Sequence, residues 1–505
     1  MGSKPSAVTR SPVGGSAAGT GSPEPAKCPD PYRYTSGRWL NRDELERNSR
    51  YIRFDFSALC ERAISLCLGA TKIIGSEKKE GGFNRVFKFT MDTGVRVVAR
   101  LPTPIAGPPG LVTNSEVATM AYLRSKLNLP IPNVLEWNDS SSNPVGNEYI
   151  VQEHVAGEQL HQRWATMNSE QHTLCTKALS LTIRKMATLE FPAYGSLYFS
   201  DAPLPSEKKV PFEEGYCVGP HCSPVYWNRN PGELELYGGS SPNCGPWNDL
   251  RSFSSGLIDT GRARIPREQS VNEGVLSYRG QVHDHQQLLQ TSKAVLERLL
   301  NDKRIQDAAS PILLHPDFHK RNIYVSADDP TVIAGLIDWQ TASIEPTFIY
   351  ESETPDFVAP PNSEDEGTLE DEKPEAQRAK ERKDASICHQ TYDVCMKGPV
   401  PKLRPSRLQD PTLFRLFHYG SCPYVPTEEK LARHSKDYED FETVQKSKLW
   451  LMKSLDTRSD GWIPNETWEA AREAHRAAYE QWMETAREAE EGGGENMTVE
   501  KADKL

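Results

Sequence analysis

The chain has 505 residues, which is enough for several domains or for one two-lobed enzyme with insertions. Its formal net charge of −11 argues against a nonspecific nucleic-acid partner, which needs a basic surface, although a locally basic cleft still allows a small anionic ligand. No run approaches the roughly 18 apolar residues that span a bilayer, so no integral membrane segment is predicted.

Residues 1–33 are rich in Ser, Gly, Ala and Pro and predict a disordered leader. Acidic residues are absent before Glu24, as in a mitochondrial presequence, but an amphipathic arginine-rich helix is missing. The opening MGSKPS also fits the short myristoylation pattern. A transit peptide, a myristoylation site and a plain disordered tail all remain open.

The next segment, 34–155, has the pattern of a small α+β lobe. Helical periodicity over 57–69 ends at Gly69, and Asn114 or Ser115 is suited to cap a later helix. The remaining predicted elements are strands at 71–76, 85–90 and 95–101, that later helix at 114–127, and a strand at 149–153. Strands and helices in this order predict a sheet covered by helix.

From residue 156 the sequence becomes mainly helical, with amphipathic segments at 170–189 and 281–304. Pro, Gly, Ser, Asn and aromatic residues are frequent over 200–265, where we expect a long ordered excursion. An acidic, proline-containing stretch after residue 350 predicts a mobile surface loop. The predicted organisation is a leader at 1–33, an N-terminal lobe at 34–155, a C-terminal lobe at 156–350 with the 200–265 insertion, an acidic mobile loop at 351–386, a helical part of the C-terminal lobe at 387–488, and a disordered tail at 489–505.

The stretch PILLHPDFHKRNIYVSADDPTVIAGLIDWQ, at 311–340, carries the most informative pattern. One apolar run is followed by His315, Asp317 and then Asn322, and a second apolar run is followed by Asp338. Phosphoryl transfer needs an acceptor hydroxyl to be positioned and phosphate charge to be neutralised. Asp317 is suited to orient or deprotonate the hydroxyl, whereas Asn322 and Asp338 offer the hard oxygen ligands that magnesium prefers.

Taken singly, His-Pro-Asp reads as a turn and Asp338 as a polar residue at a strand end. The ordered combination of HxDxxxxN, two strands and an Asp followed by Trp339 favours a kinase-like catalytic pattern. HPDFHKRN followed by GLIDWQ resembles the aminoglycoside phosphotransferase and choline kinase superfamily, over most of 34–350. YTSGRWLNRDELERNSRYIRFDFSAL, GSLYF and GPW resemble the fungal "altered inheritance of mitochondria protein 9" group within it.

The resemblance implies an α+β, two-lobed protein-kinase-like fold whose small antiparallel N-terminal lobe binds the nucleotide and whose larger C-terminal lobe is mainly helical. Gly81 and Gly82 fall where the family places the phosphate-covering loop between two strands. Arg100 falls at the position of a phosphate-binding lysine, and Glu116 at that of its ion-pair partner.

The segment VQEHVAG corresponds to the hinge whose backbone holds adenine in the family, and it contains Gln152, Glu153 and His154. His315 matches the histidine that supports the catalytic loop, and Asp317 the catalytic aspartate. The resemblance thus implies ATP and Mg²⁺ as cofactors, with a small-molecule hydroxyl as acceptor.

Two positions depart from the family pattern. Arg100 replaces the usual lysine, and its planar fork grips phosphate or Glu116 in a bidentate way but is larger than an ammonium. An ordinary Arg–Glu pair at a strand end is the alternative. Arg321 replaces a common glycine directly before Asn322 and adds positive charge near the site.

Two other functions remain as alternatives to a small-molecule phosphotransferase: a non-catalytic nucleotide-binding scaffold, motivated by Arg100, and a protein kinase, which the absence of Phe-Gly after Asp338 disfavours. Acidic residues in the insertion are compatible with a cationic acceptor: Glu213, Glu214, Glu233, Glu235 and Asp249. The group resemblance implies the mitochondrion, with the cytoplasm as alternative. The sequence does not determine the oligomeric state.

Overall fold

The computed structural model describes residues 30–227, 243–265, 282–351, 354–359, 375–398, 400, 402–403, scattered positions between 427 and 457, and 460–491. Of the predicted leader (1–33), acidic loop (351–386) and tail (489–505), residues 1–29, 360–374 and 492–505 lie outside the described residues. The prediction of a disordered tail is wrong for residues 489–491, which form the end of a helix. By contacts the chain separates into two compact units, one over 53–424 and one that combines 30–52 with the residues after 424.

Short strands and helices alternate along the described chain. The strands are β1 (Gly37–Trp39), β2 (Ile73–Glu80), β3 (Asn84–Met91), β4 (Arg96–Pro102), β5 (Val134–Asn138), β6 (Tyr149–Glu153), β7 (Glu158–Gln159), β8 (Ser196–Phe199), β9 (Val210–Pro211), β10 (Tyr216–Gly219), β11 (Pro311–Leu313), β12 (Ile323–Val325), β13 (Ile333–Leu336), β14 (Ile344–Pro346) and β15 (Trp462–Pro464). The helices are α1 (Asp43–Ser49), α2 (Phe56–Ser65), α3 (Leu111–Leu127), α4 (Leu160–Trp164), α5 (Ser169–Ala187), α6 (Leu250–Ala263), α7 (Val282–Leu299), α8 (Lys303–Asp307), α9 (Thr347–Glu351), α10 (Glu375–Lys397) and α11 (Trp468–Glu491).

A five-stranded antiparallel sheet in the order β2-β3-β4-β6-β5 forms the N-terminal lobe of the first unit. Strand β3 alternates between buried and half-buried positions, and Phe87, Phe89 and Met91 fill the core on its buried face. Helix α3 packs against β5 and β6. Nearly every residue of α3 from Val112 to Leu123 is buried, so its position relative to the sheet is closely constrained.

Helix α3 begins about one turn before the predicted start. The Glu148 carboxylate accepts the Gly110 backbone N–H at 2.6 Å and the Thr113 hydroxyl at 2.8 Å, and so satisfies donors at the helix N-terminus. Asn114 and Ser115, the predicted caps, lie inside the helix. The cap comes from a residue distant in sequence, which local sequence patterns do not reveal.

The C-terminal lobe of the first unit is mainly helical, and its long helices α5 and α10 pack together. Two short antiparallel ladders carry the informative motif: β11 pairs with β14, and β12 lies between β13 and β7. The fold prediction, a small antiparallel sheet with a helix beside a larger helical lobe, is confirmed. Among the described residues, no helix is both long and apolar enough to cross a bilayer.

The prediction of a mobile loop over 351–386 is wrong for residues 375–386, because they form the first half of α10. Asp384, Cys388, Tyr392 and Met396 recur every fourth residue and are buried in this helix. This spacing gives α10 a face that packs on α5, although the charged residues around it are typical of a solvated segment.

The second unit differs from the predicted boundaries, which assigned 34–52 to the N-terminal lobe and the residues after 424 to the C-terminal lobe. Strand β1 pairs with β15, and Gly37 lies opposite Pro464. A side chain at Gly37 would clash with the Ile463 carbonyl oxygen, so glycine permits this close pairing. The two ends of the folded chain therefore share one unit.

Candidate active site

His315 is buried between the loop that carries Asp317 and the loop that carries Asp338, which are called the two motif loops. Its Nδ1 accepts the Asp317 backbone N–H at 3.1 Å, so the ring proton lies on Nε2, which donates to the Ile337 carbonyl at 2.8 Å. Burial lowers the pKa of His315, which favours this neutral form. The imidazole therefore links the loop carrying Asp317 to the residue just before Asp338.

Asp317 and Asn322 are in direct contact. Asn322 Nδ2 donates to Asp317 Oδ2 at 2.8 Å and to the Asp317 carbonyl at 2.9 Å. Because the amide nitrogen faces Asp317, the Asn322 side-chain oxygen remains as a candidate metal ligand. The Asp317 side chain keeps 42% of its surface exposed, so a substrate can reach it.

Asp338 follows β13 and is brought to the same place by the β12–β13 ladder. Ile323 pairs with Leu336, and the Ile337 N–H donates to the Asn322 carbonyl at 3.0 Å. Asp338 has a φ of 68°, in the left-handed region that few non-glycine residues adopt. Its side chain is 43% exposed, and the sharp backbone turn presents the carboxylate at the end of the strand.

Arg100 joins the N-terminal lobe to Asp338. Its Nη2 lies 2.6 Å from Asp338 Oδ1, and its Nη1 donates to the Glu116 carboxylate. Both Arg100 and Glu116 are buried, so β4 and α3 are tied together at a point facing the motif loops. Burial raises the pKa of Glu116, and the charge of Arg100 opposes that rise. The predicted Arg–Glu pair is present, and its contact with Asp338 was not predicted.

Gly81 and Gly82 lie in the turn between β2 and β3, as predicted for a loop between two strands. The Gly81 N–H donates to the Asn84 carbonyl at 3.0 Å. Asn84 Nδ2 then donates to Gln340 Oε1 at 2.5 Å, which ties the base of this turn to the segment after Asp338. No local pattern indicates the Asn84–Gln340 bond, because 256 residues separate the partners.

The three predicted hinge residues have different surroundings. Gln152 is buried in β6 between β4 and β5, and its Oε1 has no hydrogen-bond partner among the described residues. Glu153 accepts the Asn133 N–H at 3.2 Å through its carboxylate, so its side chain is engaged within the lobe. The His154 N–H donates to the Arg96 carbonyl, and burial lowers the pKa of its side chain.

A further contact to Asp317 comes from His319, two residues further along the chain. His319 Nε2 lies 3.2 Å from Asp317 Oδ1. On its other side, His319 Nδ1 accepts the Asp356 backbone N–H at 3.2 Å. Asp356 belongs to the segment expected to be a mobile loop, so composition hid this contact.

Two of the acidic residues predicted to suit a cationic acceptor, Glu213 and Asp249, have other partners, and Glu214 is exposed. Glu213 binds Lys126 at 2.7 Å and accepts the Tyr122 hydroxyl at 3.0 Å. Asp249 caps α6 through the Ser252 N–H at 2.7 Å. Glu233 and Glu235 lie outside the described residues. The described contacts therefore give no support for a cationic acceptor.

The pair Asn322 and Asp338 fits magnesium in kind and number. In the part of the chain that the structure describes, no three His, Cys, Asp or Glu side chains group together as a protein-only metal cage. Magnesium binds proteins through one or two oxygen ligands and takes the rest from water and phosphates. An amide oxygen and a partly exposed carboxylate on adjoining segments match that requirement.

The antiparallel lobe, the helical lobe and the joined motif loops are those of a kinase-like phosphotransferase fold. The chain belongs to the phosphotransferase enzyme family (APH), whose family model matches residues 79–348, just over half of its length. The predicted membership of this superfamily is confirmed.

Two fungal relatives illustrate the similarity. A subtelomeric hrmA-associated cluster protein of Aspergillus fumigatus is 33% identical over 298 residues, covering 54% of this chain and 58% of the relative. The mitochondrial altered inheritance of mitochondria protein 9 of Saccharomyces cerevisiae is 24% identical over 402 residues, covering 65% of this chain and 63% of the relative. The chain thus spans less than two thirds of either relative's length.

Solved structures with similarity include an ADP-bound aminoglycoside phosphotransferase, at 12% identity and a TM-score of 0.33, covering 72% of this chain and 92% of that one. A macrolide 2′-phosphotransferase is 14% identical with a TM-score of 0.31, covering 72% of this chain and 91% of that one.

Proposed function

We propose that the chain transfers the γ-phosphate of ATP to a hydroxyl group of a small molecule. The observation that carries this proposal is one set of hydrogen bonds. His315 Nε2 donates to the Ile337 carbonyl, the Ile337 N–H donates to the Asn322 carbonyl, and Asn322 Nδ2 donates to Asp317 Oδ2. Two motifs that are separate in sequence are thereby joined, and they supply an aspartate and two oxygen ligands. Phosphoryl transfer requires this kind of positioning and little covalent chemistry from the protein.

Asp317 is the residue proposed to act on the acceptor. One of its oxygens is held by Asn322 and the side chain is partly exposed, so the carboxylate can accept a proton from an incoming hydroxyl. Asn322 and Asp338 are the proposed metal ligands, and Mg²⁺ bound there would neutralise phosphate charge. His315 is proposed as a support that keeps both loops in place.

The nucleotide is proposed to lie between the Gly81-Gly82 turn and the β6 hinge. Gly82 has open space where a side chain would stand, which suits close approach of the backbone to phosphate. Gln152 offers a buried side-chain oxygen without a partner among the described residues, and the amino group of adenine is a donor of matching chemistry. Arg100, paired with Glu116 and Asp338, would lie beside the phosphate end.

The test is calorimetric titration of ATP, with and without Mg²⁺, into the wild type and Asp338→Ala. Magnesium-dependent binding that is lost in the variant supports the metal site and justifies a screen of alcohols, amino-alcohols and sugars as acceptors, with ADP formation as readout. Binding with no ADP formation from any acceptor contradicts the enzymatic proposal.

A second candidate is a nucleotide-binding scaffold without catalysis. It is favoured by one observation, that Arg100 already neutralises Asp338 at 2.6 Å. The scaffold predicts nucleotide binding that is equally tight with and without Mg²⁺, whereas the enzyme predicts a strong dependence on Mg²⁺. The same titration therefore separates the two candidates.

We also propose the mitochondrion as the compartment, since relatives such as that of Saccharomyces cerevisiae carry a mitochondrial name. Cell fractionation of the full chain with a C-terminal tag tests this, and recovery in the cytosol alone contradicts it.

A further inference from the structure

We propose that His319, oriented by Asp356, is a positioning residue that sets the carboxylate of Asp317 for proton transfer. This inference rests on the proposed function, because it assigns how the proposed base is held. His319 occupies a variable position within HxDxxxxN, and Asp356 lies in the segment expected to be a mobile loop.

The hydrogen-bond pattern fixes the tautomer of His319. Its Nδ1 accepts the Asp356 backbone N–H at 3.2 Å, so a neutral ring carries its proton on Nε2. Nε2 lies 3.2 Å from Asp317 Oδ1, in close polar contact with the carboxylate. The ring is thus oriented by a backbone donor at Nδ1 and contacts the proposed base through Nε2.

Both oxygens of Asp317 then have a nitrogen neighbour. Asn322 donates to Oδ2 and His319 Nε2 lies 3.2 Å from Oδ1, so rotation of the carboxylate would break the Asn322 bond and the His319 contact. The side chain keeps 42% of its surface exposed, so an acceptor can reach the carboxylate in this orientation. An acceptor hydroxyl meets the base in a constant orientation, and orientation contributes strongly to such reactions.

The position of Asp356 is set by its neighbours. Its Oδ1 accepts the Lys320 backbone N–H at 3.0 Å, which fastens the segment to the catalytic loop. The next residue, Phe357, is buried with its ring 5.8 Å from that of Phe318. Val358 is fully buried and its carbonyl accepts from His389 of α10 at 3.0 Å. The donor to His319 therefore belongs to a packed segment.

A purely structural role for the His319–Asp317 contact predicts a different result. The two side chains are 33% and 42% exposed, and partly exposed pairs contribute little to stability. Removing the imidazole should therefore hardly change folding. A loss of turnover without a loss of stability or of nucleotide affinity distinguishes positioning from support.

The first experiment compares His319→Ala with His319→Gln, whose amide nitrogen replaces the Nε2 donor. We expect His319→Ala to lower the ATP turnover number by about tenfold to a hundredfold, the scale of a misplaced reacting group. We expect His319→Gln to recover most of that loss, and both variants to keep wild-type MgATP affinity and thermal unfolding. Equal losses in both variants, or unchanged turnover in His319→Ala, overturn the inference.

The second experiment needs no activity. The ¹⁵N NMR signals of His319 should report a proton on Nε2 in the wild type. Asp356→Ala, which removes the anchor to Lys320, should change them, whereas Asp356→Asn keeps an oxygen acceptor and should not. A ring protonated on Nδ1 overturns the geometry. A wild type that binds MgATP without turning it over contradicts the proposed function, and the NMR result still decides the geometry of His319.

Discussion

The guanidinium of Arg100 lies 2.6 Å from the Asp338 carboxylate while its other nitrogen binds Glu116. The proposed magnesium ligand is thus paired with an internal cation that is itself buried, with 6% of its surface exposed. A planar guanidinium reaches two carboxylates at once, which a single ammonium group does less well. Magnesium bound at Asp338 would therefore have to compete with the Arg100–Asp338 ion pair.

We predict that Arg100→Lys tightens magnesium-dependent ATP binding severalfold. Lysine retains a charge for Glu116 and releases Asp338, so the metal no longer competes with a guanidinium. Calorimetric titration of ATP in the presence of Mg²⁺ measures the change. Weaker binding in the lysine variant would mean that Arg100 itself grips phosphate.

The control for that swap is Arg100→Met, which removes the charge but keeps a long side chain. It leaves Glu116 buried without a cation, and breaking a buried pair in this way costs about 3–5 kcal/mol of stability. Chemical denaturation should show this loss for methionine and a much smaller one for lysine. Similar losses in the two variants would contradict the assigned ion pair.

We predict that Asp317→Asn lowers turnover by roughly 100-fold or more, the scale of removing a general base. Asparagine keeps an oxygen that can accept from Asn322, so the loop should stay folded. MgATP affinity, measured by titration, should change little because the proposed metal ligands are untouched. Turnover within twofold of the wild type would contradict the proposed role of Asp317. A twofold change corresponds to roughly 0.4 kcal/mol in the activation free energy.

A third prediction concerns Gly157, where the chain leaves the hinge. Its φ is 109°, and a Cβ there would overlap the Val325 carbonyl oxygen of β12, the strand that follows Asn322. Gly157→Ala should destabilise the protein by about 1–3 kcal/mol, because the backbone conformation is strained for alanine and the strand must shift. Urea denaturation measures this loss.

The matched control is Gly82→Ala, since a Cβ at Gly82 meets open space and its φ lies outside the left-handed region. We expect its unfolding free energy to stay close to that of the wild type. A loss in Gly82→Ala as large as that in Gly157→Ala would show that the close approach to β12 is not the cause.

Features encoded locally could be predicted from the sequence. The apolar runs that precede His315 and Asp338 indicate strand ends, and β6 was predicted with the bounds that the structure has. The bond from Arg100 to Asp338 spans 238 residues, and no periodicity or spacing encodes which carboxylate an arginine will reach. The sequence left open whether Arg100 binds phosphate or pairs with Glu116. In the structure Arg100 pairs with both Glu116 and Asp338.

Two segments were predicted wrongly, one because of its composition and one because its partner is distant in sequence. Residues 375–386 were expected to be a loop because charges dominate, although a four-residue spacing of Asp384, Cys388, Tyr392 and Met396 was available as a helical signal. The pairing of β1 with β15 joins residues more than 400 positions apart, and short strands of this kind have no local signal for their partner.

The last prediction is a pH dependence that arises from His315. Burial lowers its pKa below the ordinary value of 6.5, while its bond to Ile337 and the charges of Asp338 and Asp317 oppose that shift and nearby His319 adds to it. As the pH falls below 6.5, the unfolded chain takes up a proton at this position before the folded chain does. Unfolding therefore becomes more favourable, and stability is lost toward acid pH.

Because other groups also titrate, the measurement is the difference in unfolding free energy between the wild type and His315→Gln as a function of pH. Glutamine can donate to the Ile337 carbonyl and accept from the Asp317 N–H, but it does not ionise. The wild-type advantage should be constant above neutral pH and shrink as the pH falls below 6.5. A difference that is independent of pH would mean that His315 has the same pKa in the folded and unfolded states. That result would contradict a neutral, buried His315 between the two motif loops.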